Sequence, residues 1–267
     1  MNKITLSQLQ KFKKERKKIT TLTCYDATFS HALNQAKIDA ILVGDSIGNV
    51  IQGHDSTIPV SIDDLIYHTK CVHKNNLHSF LIADMPFMSY YNQDIAMQNA
   101  AKLIQAGAQM IKLEGGKWLA PIIKNLVEKG IPVCAHIGLN PQYVNIESGY
   151  KVQGKTQAAQ EDIINTALKL EKAGANLIVI ECVPSELADN ITKLLTIPTI
   201  GIGAGPETDG QVLVLYDILG IYGNLRNKSF KFSKVFLDKQ NYTIEKAILN
   251  YKNAVEQCLF PAKEHTF

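Results

Sequence analysis

Residues 40–46 read Ala40-Ile41-Leu42-Val43-Gly44-Asp45-Ser46, four apolar residues closed by a glycine, an acid and a hydroxyl. A short apolar run with no polar alternation describes a strand covered on both faces, as in a parallel sheet packed between helices. Leu177-Ile178-Val179-Ile180-Glu181 has the same design and again ends on a carboxylate. Outward from these two runs, β-branched segments and longer helical patterns alternate along the chain. Strands are expected at Ile19 to Tyr25, Ala40 to Gly44, Ser79 to Asp84, Met110 to Glu114, Pro132 to Ile137, Leu177 to Glu181, Thr199 to Gly203 and Val212 to Tyr216. Helices are expected at Thr28 to Lys37, Ile62 to His73, Asp94 to Gln105, Leu119 to Lys129, Gln157 to Lys172, Pro184 to Leu195 and Tyr242 to Gln257. Gly107 and Gly174 follow two of these helices in Ala-Gly-Ala turns, where a C-terminal cap prefers glycine. Eight such units favour a closed (β/α)8 TIM barrel, of the α/β class, over an open sheet.

The length agrees, since 267 residues is close to the roughly 250 that one such barrel uses. No tract rich in Pro, Gly or Ser divides the chain, so residues 1–267 are expected to form a single domain. With 46% apolar and 20% charged residues the composition is neither disordered nor collagen-like. No run approaches the roughly 18 apolar residues of a membrane span. Lys3, Lys11, Lys13, Lys14, Arg16, Lys17 and Lys18 place seven of the 28 basic residues beside a lone Glu15. Setting these aside leaves 21 basic residues (28 less 7) against 24 acidic (25 less 1). The net +3 therefore belongs to the N-terminal segment, and the body offers no surface for nucleic acid. Leu6, Leu9 and Phe12 give that segment an amphipathic helical face able to close the barrel floor, with its lysines on a solvated side. It has no apolar core or small-residue cleavage site and a single Arg, which argues against a secretory or mitochondrial leader and for the cytoplasm. Cys24, Cys71, Cys134, Cys182 and Cys258 are odd in number and widely spaced, as reduced packing thiols are.

In a parallel barrel the active site forms at the C-terminal ends of the strands. At those ends stand Asp45 with Ser46, then Asp84, Lys112 with Glu114, His136, and Glu181. One carboxylate there is commonly a helix cap. Four converging on one mouth repel one another until a cation or a proton intervenes. Asp45, Asp84 and Glu114 come from three successive strand ends, and their oxygens suit Mg²⁺. No Cys or His pair has zinc spacing, and His68 and His73, five apart, read as surface residues. Glu181 reads either as a shielded general base or as a buried carboxylate paired with a lysine. Lys112 alternates with Glu114, so both face the interior, where Lys112 can neutralise an anionic substrate. His136 reads as a core histidine or a site residue. The glycines of Gly201-Ile202-Gly203-Ala204-Gly205-Pro206 lack dinucleotide spacing; they cradle a phosphate or let backbone approach a ligand. The polar stretch Gly138 to Thr156 is a mobile loop over the site or an inert surface loop.

Taken in chain order, several words resemble the ketopantoate hydroxymethyltransferase family. They are Val43-Gly44-Asp45-Ser46 with Gly48, Gly53-His54-Asp55-Ser56-Thr57 with Pro59-Val60, Tyr67-His68-Thr69, and Ala83-Asp84-Met85-Pro86-Phe87. They continue with Lys112-Leu113-Glu114-Gly115-Gly116, Ala135-His136-Ile137-Gly138-Leu139, Gly149-Tyr150-Lys151-Val152-Gln153-Gly154 and Gly201-Ile202-Gly203-Ala204-Gly205. Asp209-Gly210-Gln211-Val212-Leu213-Val214 and Pro261 with Glu264-His265 and Phe267 complete the set, which spans nearly the whole chain. Cys24, Asn49, Ser148 and Tyr216 depart from the residues usual in the family, and none of them has an assigned catalytic role.

The resemblance implies a (β/α)8 barrel that assembles as a homo-oligomer, typically a decamer of two stacked pentamers in bacteria. It implies transfer of a one-carbon unit from methylenetetrahydrofolate to 3-methyl-2-oxobutanoate, giving 2-dehydropantoate on the route to pantothenate and coenzyme A. By the same resemblance Asp45 and Asp84 bind Mg²⁺ and Glu114 completes the metal site. The metal then chelates the 2-oxo acid and stabilises its enolate. Glu181 is the base, Ser46 and Lys112 hold the substrate carboxylate, and His136 lies near the reacting group. Two rivals share parts of the pattern: another Mg²⁺-dependent 2-oxo acid enzyme of the phosphoenolpyruvate mutase and isocitrate lyase type, and a non-catalytic metal-binding scaffold. Folate dependence separates the first, and any turnover at all separates the second.

Overall fold

A computed structural model describes residues 3–147, 149–221, 230–237 and 243–267. Eight parallel strands close into a barrel in sequence order. They are β1 (Ile19–Thr23), β2 (Ala40–Val43), β3 (Phe80–Asp84), β4 (Met110–Glu114), β5 (Val133–Gly138), β6 (Leu177–Glu181), β7 (Thr199–Ile202) and β8 (Gly210–Leu213). The seam pairs Ile19 with Gly210 and Leu22 with Leu213. Helices Ala27–Gln35, Ile62–Asn75, Gln93–Gln105, Ala120–Glu128, Gln157–Lys172 and Ser185–Leu194 lie within two residues of the expected bounds at each end. Of the expected tail helix, Ile244–Glu256 is observed; Tyr242, like the family departure Ser148, lies outside the described residues. The expected eighth strand is displaced. Val212-Leu213-Val214-Leu215 is apolar throughout, so periodicity cannot mark where the strand stops, and residues Leu215–Leu219 turn into a short helix instead.

Strand alternation assigns each side chain to one of two cores. Val43, Leu81, Ala83, Ile111, Leu113, Ala135, Ile137, Ile178 and Ile180 pack outward against the helices. Ala40, Leu42, Phe80, Ile82, Met110, Cys134, Leu177, Val179, Ile200 and Val212 fill the barrel interior. Continuing the inward set toward the strand ends gives Asp84 after Ile82, Lys112 and Glu114 after Met110, His136 after Cys134, and Glu181 after Val179. The same two-residue period that makes the lower barrel apolar makes its mouth polar. Gly107 (φ 114°) follows its helix as expected, and a Cβ there would meet His73 Cγ at 2.2 Å.

The floor is closed by the N-terminal helix, Leu6–Lys14, which begins with a reciprocal capping box between Thr5 and Gln8. Leu9 is fully buried among the interior residues, with Leu6 and Phe12 packed beside it. The basic face departs from the solvated reading. Lys13 Nζ lies 2.7 Å from Asp209 Oδ2 and 2.9 Å from the Thr192 carbonyl, and Lys18 Nζ donates to the carbonyls of Pro206 and Thr208, each at 2.6 Å. Lys17 Nζ sits over the Phe12 ring, 3.7 Å from Asp39. Lys13 and Lys18 thus tie the N-terminal segment to the β7–β8 connection and Lys17 reaches the start of β2, because carbonyls and carboxylates collect where strands begin. Lys14 is exposed. No described helix is long and apolar enough to cross a membrane. All five cysteines are free thiols, with Cys24, Cys134 and Cys182 buried.

Candidate active site

At the mouth, a cavity of about 250 Å³ is lined by Asp45, Ser46, Asp84, Lys112, Glu114, His136 and Glu181, with Leu42, Val179 and Val212 among its apolar walls. All seven residues expected there thus come together. Lys112 Nζ donates to Asp84 Oδ1 at 2.7 Å, and Asp84 Oδ2 accepts from the Asp45 backbone N–H at 3.0 Å. The Glu114 carboxylate is held at both oxygens, by the Gln142 N–H at 2.6 Å and by His136 Nδ1 at 3.1 Å. On the other side of the ring, His136 Nε2 lies 3.2 Å from Glu181 Oε2, an ionic contact without hydrogen-bond alignment. Glu181 retains 13% side-chain exposure, whereas Glu114 has 1%. The base candidate therefore faces the cavity and the lysine is spent on Asp84, so Glu181 is not the lysine-paired carboxylate that the sequence left open.

Burial pushes the Asp45 carboxyl well above its usual pKa, and the charges of Asp84 and Glu114 push it further. Burial alone would lower the Lys112 ammonium, but Asp84, Glu114 and Asp45 outweigh it and raise it. For His136, burial is likewise outweighed by Glu114 and Glu181, and the ring is raised to about 9. Burial would raise Glu114, yet the His136 hydrogen bond and charge, with Lys112, hold it below the ordinary carboxylate value. At the strand ends four carboxylates thus face two buried cations, while Asp217 and the exposed Lys151 and Lys231 also line the cavity. All the surplus donors are oxygens, which fits a hard divalent cation; no described group of three His, Cys, Asp or Glu side chains is already gathered tightly enough to form a finished cage.

Other residues of the site carried no sequence signal. The Tyr25 hydroxyl, fully buried, bonds Ser46 Oγ at 2.9 Å and donates to Thr23 Oγ1 at 2.8 Å, fixing the serine. Gln142 and Tyr90 bond to each other beneath the carboxylates, with 2.6 Å between Tyr90 Oη and Gln142 Oε1. Gln142 belongs to the stretch whose role was open, and Tyr150, Lys151 and Val152 of that stretch line the cavity, so it lies over the site. Gly138 (φ 92°) lets it depart: a Cβ there would meet the Glu181 carbonyl at 2.2 Å, and that carbonyl instead accepts from Leu139 N–H at 2.9 Å. Of the 201–206 stretch, Ile202 lines the cavity, and side chains at Gly203 and Gly205 would meet Phe267, Cys182, Phe232 and Ser185. His68 is half-buried and its Nδ1 lies 2.6 Å from the Tyr25 carbonyl, so it braces the strand end that carries Tyr25, while His73 is exposed.

The barrel is similar to solved structures of phosphonopyruvate hydrolase in complex with oxalate and Mg²⁺ (TM-score 0.65, 14% identity, 85% of each chain). It is also similar to oxaloacetate acetylhydrolase in complex with the product oxalate (TM-score 0.63, 12% identity, 83% of this chain and 84% of that one). At such identities the likeness is one of fold. In sequence, the chain is 53% identical to the 3-methyl-2-oxobutanoate hydroxymethyltransferase of Shewanella loihica over 267 residues, covering 100% of both. It is 51% identical to that of Idiomarina loihiensis over 265 residues, covering 99% of this chain and 98% of the relative. The model of one family, ketopantoate hydroxymethyltransferase, matches residues 3–263, and with the strand-end residues of the mouth in the register described above, the chain belongs to that family.

Proposed function

We propose that this enzyme transfers a hydroxymethyl group to 3-methyl-2-oxobutanoate from methylenetetrahydrofolate, with one water supplying the hydroxyl, and that the product is 2-dehydropantoate for pantothenate synthesis. The observation that supports this most is full-length identity of 53% to a relative bearing that name, combined with a mouth rich in carboxylates. Asp45, Asp84 and Glu114 would hold Mg²⁺. When bound, the cation supplies Lewis acidity to the carboxylate and keto oxygens of the substrate.

The side chains divide the remaining work. Ser46, fixed by Tyr25, and Lys112, fixed by Asp84, receive the substrate carboxylate. Glu181 takes the proton from the carbon beside the ketone, and the electron pair left behind forms the new bond to the one-carbon unit, whose two bonds to the folate nitrogens break as water supplies the hydroxyl and tetrahydrofolate leaves. His136, protonated below about pH 9, stands between Glu114 and Glu181 and keeps the base in place beside the reacting carbon. The apolar walls exclude water from the carbanionic carbon. The enzyme works in the cytoplasm as a homo-oligomer, a decamer in the family's usual form, with one barrel domain per subunit.

A coupled assay with both substrates tests the reading. Turnover should require methylenetetrahydrofolate and be lost on chelation of divalent metal. Folate-independent conversion of a 2-oxo acid would replace the proposal with a lyase or mutase, and absence of any turnover would leave a scaffold.

A further inference from the structure

Gln142 is 3% exposed and every polar group it has toward the mouth is used. Its side-chain nitrogen donates to Asp45 Oδ2 at 2.9 Å and to the Met85 carbonyl at 3.0 Å. Its backbone N–H donates to Glu114 Oε1 at 2.6 Å, and its amide oxygen accepts from the Tyr90 hydroxyl at 2.6 Å. One residue therefore joins the carboxylate at the end of β2 to the carboxylate at the end of β4. The sense of the amide is settled by chemistry, since turning it over would press its oxygen against a carboxylate and a carbonyl. Tyr90 is fixed in turn by its stack with Trp118, at 6.0 Å and 3°, and Trp118 Nε1 donates to the hydroxyl of Tyr143, the residue after Gln142.

Asp45 Oδ1 receives no hydrogen bond among the described residues, while Oδ2 is taken by Gln142. We infer that Gln142 is a positioning residue which presents Asp45 to a divalent cation in a single orientation, and that Tyr90 fixes the sense of its amide. Without the amide, Asp45 would turn freely beside Asp84 and Glu114, and part of the cation's binding energy would go into ordering it. Hydrogen bonds to metal-ligating carboxylates commonly govern affinity in this way. The inference rests on the metal assignment above and adds a residue from the loop after β5 to it.

The test is calorimetric titration of the full-length protein with MgCl₂, without 2-oxo acid or folate, for wild type, Gln142→Met, Tyr90→Phe and the double variant. Methionine keeps length and bulk, and the backbone bond to Glu114 survives. Mg²⁺ affinity should fall about 10- to 100-fold in Gln142→Met and about fivefold in Tyr90→Phe. The double variant should lose less than the two single losses combined, because the Tyr90 hydroxyl, which also donates to the Glu114 carbonyl at 2.9 Å, acts largely through the amide. In steady-state assays, raising Mg²⁺ should restore kcat in Gln142→Met, which a general loss of structure would not permit. Wild-type affinity in Gln142→Met, or additive losses in the double variant, overturns the inference and leaves the metal assignment standing. Absence of Mg²⁺ binding in wild type overturns both.

Discussion

The two ends of the barrel both bury charge, and they treat it oppositely. At the floor, each carboxylate is matched: Asp209 Oδ2 receives Lys13 together with the N–H and hydroxyl of Thr199, and Asp39 Oδ2 receives the N–H and hydroxyl of Thr20. At the strand ends of the mouth, four carboxylates share the buried Lys112 and His136, and Asp45 is pushed toward its neutral form by burial and its neighbours. Matched buried charges resist loss of a partner, because the remaining charge is stranded. Surplus like charges gain from the loss of one, so a mouth substitution should cost activity and spare stability, and a floor substitution should do the reverse.

The largest effect is expected from Asp84→Ala. It should abolish metal-dependent turnover and calorimetric Mg²⁺ binding while leaving the melting temperature near wild type, because Lys112 keeps Glu114 and Asp45 nearby. A large drop in melting temperature would place Asp84 with the floor carboxylates. Next, Glu181→Gln should slow exchange of the substrate's proton with deuterated solvent by about 10² to 10⁴. This exchange needs no folate, and a near-wild-type rate would pass the proton to another group, with His136 first.

At the floor, Asp209→Ala strands Lys13 and two Thr199 donors and should cost about 3 kcal/mol in denaturant unfolding, with turnover per folded molecule unchanged. His136 gives a subtler reading in chelator. Its folded pKa of about 9 exceeds the ordinary 6.5, so its stabilisation is complete below pH 6.5 and fades as pH rises toward 9. Replacing it with Gln should flatten that part of the stability profile; an unchanged slope would mean that the ring is neutral in the fold. The smallest effect belongs to Lys14→Ser, on the exposed side of the same helix as Lys13, at no more than about 1 kcal/mol. An equal loss from Lys14→Ser and Asp209→Ala would erase the contrast within the floor.

The sequence made one half of this picture legible. Strand-end acids follow apolar runs, so Asp84, Glu114 and Glu181 could be located by period two, with His136 and Lys112, while Asp45 was legible only as the acid just past the end of its strand. What orders the mouth around those acids was not legible, because Gln142, Tyr90 and Tyr25 reach it through tertiary approach and no periodicity marks an amide that crosses from one loop to two strands. The basic segment failed for the same reason. Charge counting sees that lysines are many, whereas Lys13 and Lys18 differ from Lys14 only in which carbonyls and carboxylates the β7–β8 connection brings beneath them. β8 slipped because its apolar run carried straight on into a helix.

Leu9, together with the side chains that fill the interior above it, makes the barrel a vessel with one door. With the bottom stoppered, nothing can pass through, and whatever reacts at Glu181 arrives and departs by the rim. Of two reactants sharing such an entrance, the one seated deeper has to be loaded first and unloaded last. A small stopper of hydrocarbon, far from any chemistry, thereby imposes a queue on anything that enters: what lies against the cavity floor goes in first and comes out last.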